Sequence, residues 1–379
     1  MIIGIDARSL HTVPRTGVGE FTYELLSHLF QQNTTHTYIL FSNVWKDDEK
    51  PLPFQEFEHV TWVTTRIPNK LFHAGIRITG YPHLDTYVAA KAGVQKIDVW
   101  ISPNLHFTSL SKEVKHILTI HDLSYHHYPS FFSNKGRVWH TMVRPKKQMR
   151  RAQLILTPSD HTARDVIDVY GIKKEKVHVL SPGVCSHITS LDHHSAEAVR
   201  MKYQLPDQYI LFLGTLEPRK NIDGILDAYR RSSYLKKKMP IIFAGSIGYK
   251  GNTYKNMIEH TEGARYIGYV DELDKRSLYT LARAYVYVSM YEGFGLPVLE
   301  AMYCGTPVIT SARTSLSEVV GDAGISVNPY KTVALQHAME EIVHNDDMHA
   351  RYAKKGYTQA ETFSWEYAAV QLLHYIQLL

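Results

Sequence analysis

Short apolar runs rich in β-branched and aromatic residues recur along this chain, separated by longer stretches with helical periodicity. They predict strands near 2–6, 37–42, 59–65, 97–102, 116–121, 153–157 and 177–180 in the first half. In the second half they predict strands near 209–214, 240–245, 265–268, 284–289, 307–310 and 324–327. Runs such as Tyr209-Ile210-Leu211-Phe212-Leu213 and Ile241-Ile242-Phe243-Ala244 are apolar at consecutive positions, not alternate ones. Strands covered by helices on both faces need this pattern, and parallel sheets have such strands. Alternating strands and helices predict an α/β architecture with right-handed crossovers. Ser181-Pro182-Gly183-Val184 follows a strand and breaks it, so a boundary between two sheets is expected there. Ligands collect at the carboxyl ends of strands in such sheets, facing a cleft. The last segment, Trp365 to Leu379, is apolar and periodic and predicts a packed helix.

Composition narrows this picture little. The 379 residues are 44% hydrophobic and 21% charged, as in ordinary globular chains. Lys plus Arg exceeds Asp plus Glu by 42 − 37 = 5, a mild surplus that suits an anionic ligand without demanding nucleic acid. Cys185 and Cys304 are too few for a disulfide scaffold and suggest a reducing compartment. The N-terminus lacks the basic flank and apolar core of a signal peptide, and no apolar run is long enough to span a bilayer. A cytoplasmic location is therefore expected.

The densest chemistry lies between 284 and 311. A strand ending at Ser289 leads into Glu292-Gly293-Phe294-Gly295-Leu296-Pro297-Val298-Leu299-Glu300, then Ala301-Met302-Tyr303-Cys304-Gly305-Thr306-Pro307-Val308-Ile309. Pro297 suits a first helical turn and Gly305 the left-handed position past the helix end. The two glycines before the helix allow close backbone approach. A helix start with free amides then forms a phosphate site without a basic side chain. Glu292 and Glu300 repel phosphate but suit hydroxyl donors, one a sugar hydroxyl and the other a ribose. Taken alone, Glu300 is also explained as a helix-dipole partner.

This string resembles the E-x7-E motif of the family 4 retaining glycosyltransferases, which transfer sugars from nucleotide-sugar donors. The resemblance extends along nearly the whole chain. It implies the GT-B fold, with two Rossmann-like parallel-sheet domains facing each other across a cleft. It also implies an acceptor-binding domain over 1–182, a donor-binding domain over 183–361, and a C-terminal helix within 362–379 that crosses back to the first.

Further motifs agree. Leu213-Gly214-Thr215-Leu216-Glu217-Pro218-Arg219-Lys220-Asn221 follows a strand and opens onto a helix. An isolated Arg-Lys pair is usually solvated, but at a strand's carboxyl end it offers a fork and a point charge to a diphosphate. Arg219 and Lys220 resemble the family's diphosphate-clamping pair. Thr16-Gly17-Val18-Gly19-Glu20-Phe21 precedes another helix. Thr22 stands where a dinucleotide fingerprint needs a third small residue, so a nicotinamide site is rejected. The resemblance instead implies that a loop carrying Gly17 and Gly19 approaches the donor phosphates and the acceptor. His121-Asp122 ends a strand, with the aspartate placed to orient the ring. As a bare sequence feature it is equally an ordinary strand-end polar pair, whereas the resemblance implies that His121 lies near the reacting sugar. Ser159 is a helix cap.

No D-x-D, H-E-x-x-H or C-x-x-C motif occurs, so no divalent metal or other cofactor is expected beyond the nucleotide sugar. Between Phe131 and Ser159 there is no acidic residue, while Lys135, Arg137, Arg144, Lys146, Lys147, Arg150 and Arg151 alternate with Trp139, Met142, Val143 and Met149. The stretch 135–151 reads either as a solvated helix face or as a peripheral contact with an anionic membrane, at its inner face, where a lipid-linked glycan acceptor would lie. No nucleic-acid motif accompanies it. The resemblance to bacterial mannosyltransferases of surface-polysaccharide (O-antigen or capsule) assembly implies GDP-mannose as donor, a glycan or lipid-linked glycan hydroxyl as acceptor, and catalytic roles for His121, Glu292, Arg219 and Lys220. A sugar-nucleotide epimerase of similar architecture and a non-catalytic nucleotide-sugar-binding protein are the alternatives.

Overall fold

The computed structural model describes residues 1–11, 15–44, 52–191 and 193–379. The chain forms two compact units. The first comprises Met1–Leu123, Asn134–Gly183 and Ser364–Leu379; the second comprises Ser124–Ser133 and Val184–Phe363. The main change of unit falls at the expected Pro-Gly break. The excursion at Ser124–Ser133 departs from a first domain running unbroken over 1–182. Its cause is aromatic packing: the rings of His127 and Tyr128 lie 5.4 and 5.9 Å from Tyr291 of the second unit.

All thirteen expected strands form. The first unit holds β1 (Ile2–Asp6), β2 (Thr37–Asn43), β3 (Val60–Thr65), β4 (Val99–Ser102), β5 (Lys115–Thr119), β6 (Leu154–Thr157) and β7 (Val177–Val179). They make one parallel sheet in the order β3-β2-β1-β4-β5-β6-β7. The second unit holds β8 (Ile210–Leu213), β9 (Ile241–Ala244), β10 (Ala264–Tyr266), β11 (Ala284–Tyr287), β12 (Val308–Ser311) and β13 (Ile325–Val327). Its parallel order is β10-β9-β8-β11-β12-β13. The consecutive apolar runs are explained by burial: every residue of β8, β9, β11 and β12 is buried. Phe212, Phe243, Tyr285 and Tyr287 fill the centre of the second core. Truncating one such aromatic to alanine would cost about 3–5 kcal/mol.

The chain returns to the first unit for its last helix, Trp365–Gln377, whose start is capped by Ser364 accepting from the Tyr367 amide at 3.2 Å. The helix packs against Gly17–Gln32, with Trp365 edge-on to Phe21 at 5.3 Å. Gly183 makes room for it, since a Cβ there would stand 2.3 Å from the Trp365 amide nitrogen.

On β5, His116 is buried and its Nε2 lies 3.0 Å from the hydroxyl of Ser102 at the end of β4. Burial, reinforced by Arg151, pushes its pKa from 6.5 down to about 3. Unfolded chains bind this proton near pH 6.5 and folded ones near 3, so the stability is full above 6.5 and lost as pH falls through that window. The melting temperature should fall by roughly 5 °C or more between pH 7 and pH 4. His116→Gln should flatten that slope in calorimetry; an unchanged slope would mean that another group takes up the proton.

Candidate functional site

Each sheet reverses its strand order once, between β1 and β4 in the first and between β8 and β11 in the second. Crevices for ligands open at the carboxyl ends of strands at such reversals. In the second unit the chain leaves β8 through Gly214–Glu217 into a tight turn, Pro218–Lys220. Asn221 then takes the left-handed conformation (φ 56°) before the helix Ile222–Arg231. Its side-chain amide donates to the carbonyls of Val288 and Pro329, at 3.2 and 3.0 Å, and so fixes this turn against the segments that leave β11 and β13. The Met290 amide adds a bond to the Arg219 carbonyl at 2.8 Å.

That loop carries Glu292, Gly293, Phe294 and Gly295 into the helix Leu296–Tyr303. Gly295 has φ 119°, and a Cβ there would meet Leu316 at 2.5 Å, so only glycine fits the bend. The Ser315 hydroxyl ties the loop down by donating to the carbonyls of Glu292 and Phe294, each at 2.9 Å. The Phe294 ring turns into the core, edge-on to Phe363 at 5.6 Å, so only its backbone faces the loop's outer side.

The expected row of free amides is shorter than the sequence suggests. Pro297 has none, and the Val298 and Leu299 amides both donate to the Gly295 carbonyl. Leu296 keeps the one first-turn amide without an intrahelical partner.

The two loops bring Arg219, Lys220 and Glu292 together. Lys220 Nζ lies 2.6 Å from Glu292 Oε1, and Arg219 Nη1 lies 3.1 Å from Oε2. Lys220 also donates to the Tyr287 hydroxyl, and Arg219 Nε to Glu217 at 2.5 Å. Lys220 and Glu292 are 5% and 6% exposed, whereas a quarter of the Arg219 side chain remains open. Burial alone would raise the Glu292 carboxyl, but Arg219 and Lys220 outweigh it and hold its pKa at about 2. Burial, then Arg219, lowers the pKa of Lys220, and Glu292 opposes both. The result is a desolvated carboxylate with its counter-charges in place.

Glu300 sits apart from that cluster, in the second turn of its helix. Tyr279 donates to its Oε2 at 3.0 Å, and His187 Nε2 lies 3.5 Å from Oε1 and 3.3 Å from Glu272. Lys275 Nζ is 2.5 Å from Glu272. Burial works against ionisation at both His187 and Glu300, yet the pair holds the histidine pKa up and the carboxyl pKa down. A helix-dipole role alone does not account for so many partners. Sequence reading missed His187, Lys275, Tyr279 and Tyr287. Only Lys275 left a trace, three residues after Glu272 on one helix face.

The remaining expected residues lie in the first unit. Gly17 and Gly19 are not on a loop but in the first turn of Gly17–Gln32, because the Thr16 side chain caps that helix by accepting from the Gly19 amide at 3.4 Å. His121 follows β5; its Nε2 donates to the Pro103 carbonyl at 2.8 Å, and its ring meets Phe21 edge-on at 4.8 Å. That carbonyl, rather than Asp122, fixes the ring, while Asp122 acts on it through charge. Burial lowers the His121 pKa and keeps the imidazole neutral. Ser159 caps its helix as expected. The basic stretch is not one continuous helix. It breaks at Arg144, left-handed at φ 55°, into Asn134–Val143 and Pro145–Arg151, because Pro145 cannot continue the first. An open groove of about 440 Å³ lies beside the break, lined by Arg144, Pro145, Lys146, Lys147, Arg150 and Tyr170.

Comparison with known proteins gives the family. Residues 15–186 match the family model "Glycosyltransferase Family 4", and residues 197–359 match "Glycosyl transferases group 1". The chain is 32% identical over 372 residues to the O-antigen chain mannosyltransferase B of Escherichia coli, covering 97% of each. It is 30% identical over 226 residues to the serotype-specific mannosyltransferase WbdA of Escherichia coli, covering 58% of this chain and 28% of that longer protein. Among solved structures it resembles the sucrose-phosphate synthase of Thermosynechococcus elongatus (TM-score 0.76, 20% identity, 100% and 98% coverage). It also resembles Anabaena HepE in complex with UDP and glucose (TM-score 0.71, 16% identity, 100% and 99% coverage). These two share the fold.

Glu292→Ala would leave Lys220 buried without its carboxylate and should destabilise the protein by about 3–5 kcal/mol in urea denaturation. The Glu292 pKa is depressed from 4.5 to about 2, so its contribution is present above pH 4.5 and lost as pH falls toward 2. The variant should lose that acid dependence. Wild-type stability in Glu292→Ala would show that the ion pair contributes nothing.

Proposed function

The chain belongs to the family 4 glycosyltransferases of the GT-B fold, and from that premise we propose that it transfers mannose from GDP-mannose to a glycan or lipid-linked glycan hydroxyl, with retention and without a metal. The observation that carries this reading is the buried Lys220–Glu292–Arg219 cluster at the β8/β11 reversal, beside the helix start at Leu296. The choice of mannose is supported by the two Escherichia coli relatives named as mannosyltransferases.

In the proposed step the bond between the anomeric carbon and the diphosphate oxygen breaks, and its electron pair stays on the diphosphate. Arg219, Lys220 and the Leu296 amide stabilise that charge. Preorganised donors of this kind are usually the largest catalytic term. These fixed cations perform the work a divalent ion would otherwise do. The acceptor hydroxyl attacks from the face the diphosphate leaves, which preserves configuration, and its proton passes to the departing phosphate. Glu292, ionised at working pH, accepts a hydrogen bond from a sugar hydroxyl and orients the ring rather than attacking it. Glu300, held by Tyr279 and His187, accepts from the ribose. His121 contributes from the first unit as a neutral hydrogen-bonding group near the reacting sugar, and Gly17 and Gly19 permit close backbone approach to the donor.

Among the described residues no helix is long and apolar enough to cross a membrane. Lipid-linked acceptors are reached instead by peripheral contact through 135–151, where exposed Val138 and Met142 adjoin the basic side chains. Binding to phosphatidylglycerol vesicles in sedimentation should weaken steeply between 50 and 500 mM salt, a range bracketing strong and weak screening. Equal sedimentation at both salts, or none at either, would remove the membrane contact.

The function is tested by a donor screen with purified protein, scoring GDP or UDP release with and without glycan acceptors. Acceptor-dependent GDP release from GDP-mannose, undiminished by EDTA, is expected. An isomerised sugar nucleotide formed without acceptor would indicate an epimerase, and binding without turnover a non-catalytic protein. Lys220→Ala should lower turnover on the order of 10²–10³-fold. Unchanged turnover would take Lys220 out of the site.

A further inference from the structure

The first sheet has its own strand-order reversal, between β1 and β4, and polar residues gather at it. β1 ends at Asp6, with Arg8 just beyond it, and the chain leaving β4 passes through Leu105–Phe107. These strands are neighbours, so both segments emerge at the β1/β4 crevice. Arg8 clamps Asp6 in bidentate fashion, with Nε 2.8 Å from Oδ1 and Nη2 2.5 Å from Oδ2. Nη2 also donates to the Phe107 carbonyl at 3.1 Å, and the guanidinium lies over Phe41 and Phe72. The carboxylate cancels the arginine charge.

Two polar atoms remain over. Arg8 Nη1 and His106 Nδ1 are buried without a hydrogen-bond partner among the described residues. Buried donors and acceptors of this kind are rare in native structures. Next to them lies a wall of rings. His73 stacks on Phe107 at 4.4 Å, and Trp139 stands edge-on to His106 and Phe107, each at 6.2 Å. His73, His106 and Trp139 are half-buried. Gln148 Nε2 fixes the segment by donating to the His106 carbonyl at 2.8 Å. Burial, then Arg8, holds His106 at about 4 and lowers His73, so both imidazoles are uncharged at neutral pH.

We propose that Arg8, His73, His106 and Trp139 form an acceptor subsite for an uncharged saccharide, a reading that rests on glycosyl transfer as the protein's activity. Ring hydroxyls pair with the leftover polar atoms, and the C–H face of the sugar packs on the indole and imidazole rings. A phosphate or carboxylate is disfavoured here, since Asp6 already neutralises Arg8 and the histidines carry no charge. The crevice therefore reads the glycan part of an acceptor rather than a charged linkage. Arg8 is a positioning residue for the Phe107 segment as well as a donor.

Saturation-transfer NMR on the full chain without nucleotide tests this, with methyl α-mannoside and an α-linked mannobioside as probes and mannose 6-phosphate as the charged comparator. Signal is expected from the neutral sugars. It should vanish in Trp139→Ala and His73→Ala, return in part with Trp139→Phe, and persist in Thr141→Ala on the exposed side of the same helix. In turnover the first two variants should raise the acceptor KM about tenfold and leave the donor KM unchanged. Wild-type signal in both Trp139→Ala and His73→Ala, or preference for mannose 6-phosphate, would overturn the subsite. Should one variant fail to fold in thermal scans, the other decides. Sugar binding lost in these variants, together with no turnover of any donor, would support the subsite while defeating the transfer reading.

Discussion

A lysine that is 5% exposed keeps a carboxylate at 2.6 Å, and much of the second unit is arranged to allow it. Bringing two charges out of water carries a penalty that their attraction repays only with good geometry and further hydrogen bonds. The fold supplies both. Tyr287 takes a second Lys220 proton, Arg219 takes the second Glu292 oxygen, and Glu217 takes Arg219 in turn. Asn221 and Ser315 then lock the two loops that carry these groups. A bend that only glycine can make, at Gly295, brings Glu292 into reach.

Both sheets place an Arg–carboxylate pair at the strand-order reversal, yet the two pairs are built differently. Asp6–Arg8 is closed on itself and surrounded by aromatic rings, so its outward character is neutral. In the second unit two cations share Glu292, and Arg219 keeps a quarter of its side chain open. That guanidinium is not sealed from solvent. The same topology thus yields one crevice with a closed ion pair and one with a partly open cation.

The central strands β8, β9, β11 and β12 were legible because double-sided burial writes an unbroken apolar run. The edge strands β3, β10 and β13 were legible from β-branched and aromatic residues beside turn signals. All thirteen formed within a residue or two of their expected limits. Glu292, Arg219 and Lys220 were legible because a strand-turn-helix pattern places them at strand ends. What each one touches was not. Nothing local joins Glu292 to residues 72 and 73 positions earlier; strand adjacency does. His187 reaches Glu300 from a short helix more than a hundred residues away, and no spacing announces it. Gly17 and Gly19 read as a loop because glycine usually breaks helices, and the Thr16 cap reversed that. Pro145 divides the basic stretch into two helices, a break that its charge pattern does not encode.

The buried pair argues for function more strongly than for stability. A well-packed apolar replacement of a buried ion pair is often neutral or stabilising. Lys220 and Glu292 therefore occupy positions where leucine and methionine would serve the core as well or better. Their place is also restricted, at the carboxyl ends of β8 and β11 and nowhere along the sheet. A charge retained at a cost, in the one crevice where a parallel sheet binds ligands, is accounted for when a ligand uses it. The depressed Glu292 pKa fits the same account, because a carboxylate that stays ionised while desolvated remains a hydrogen-bond acceptor.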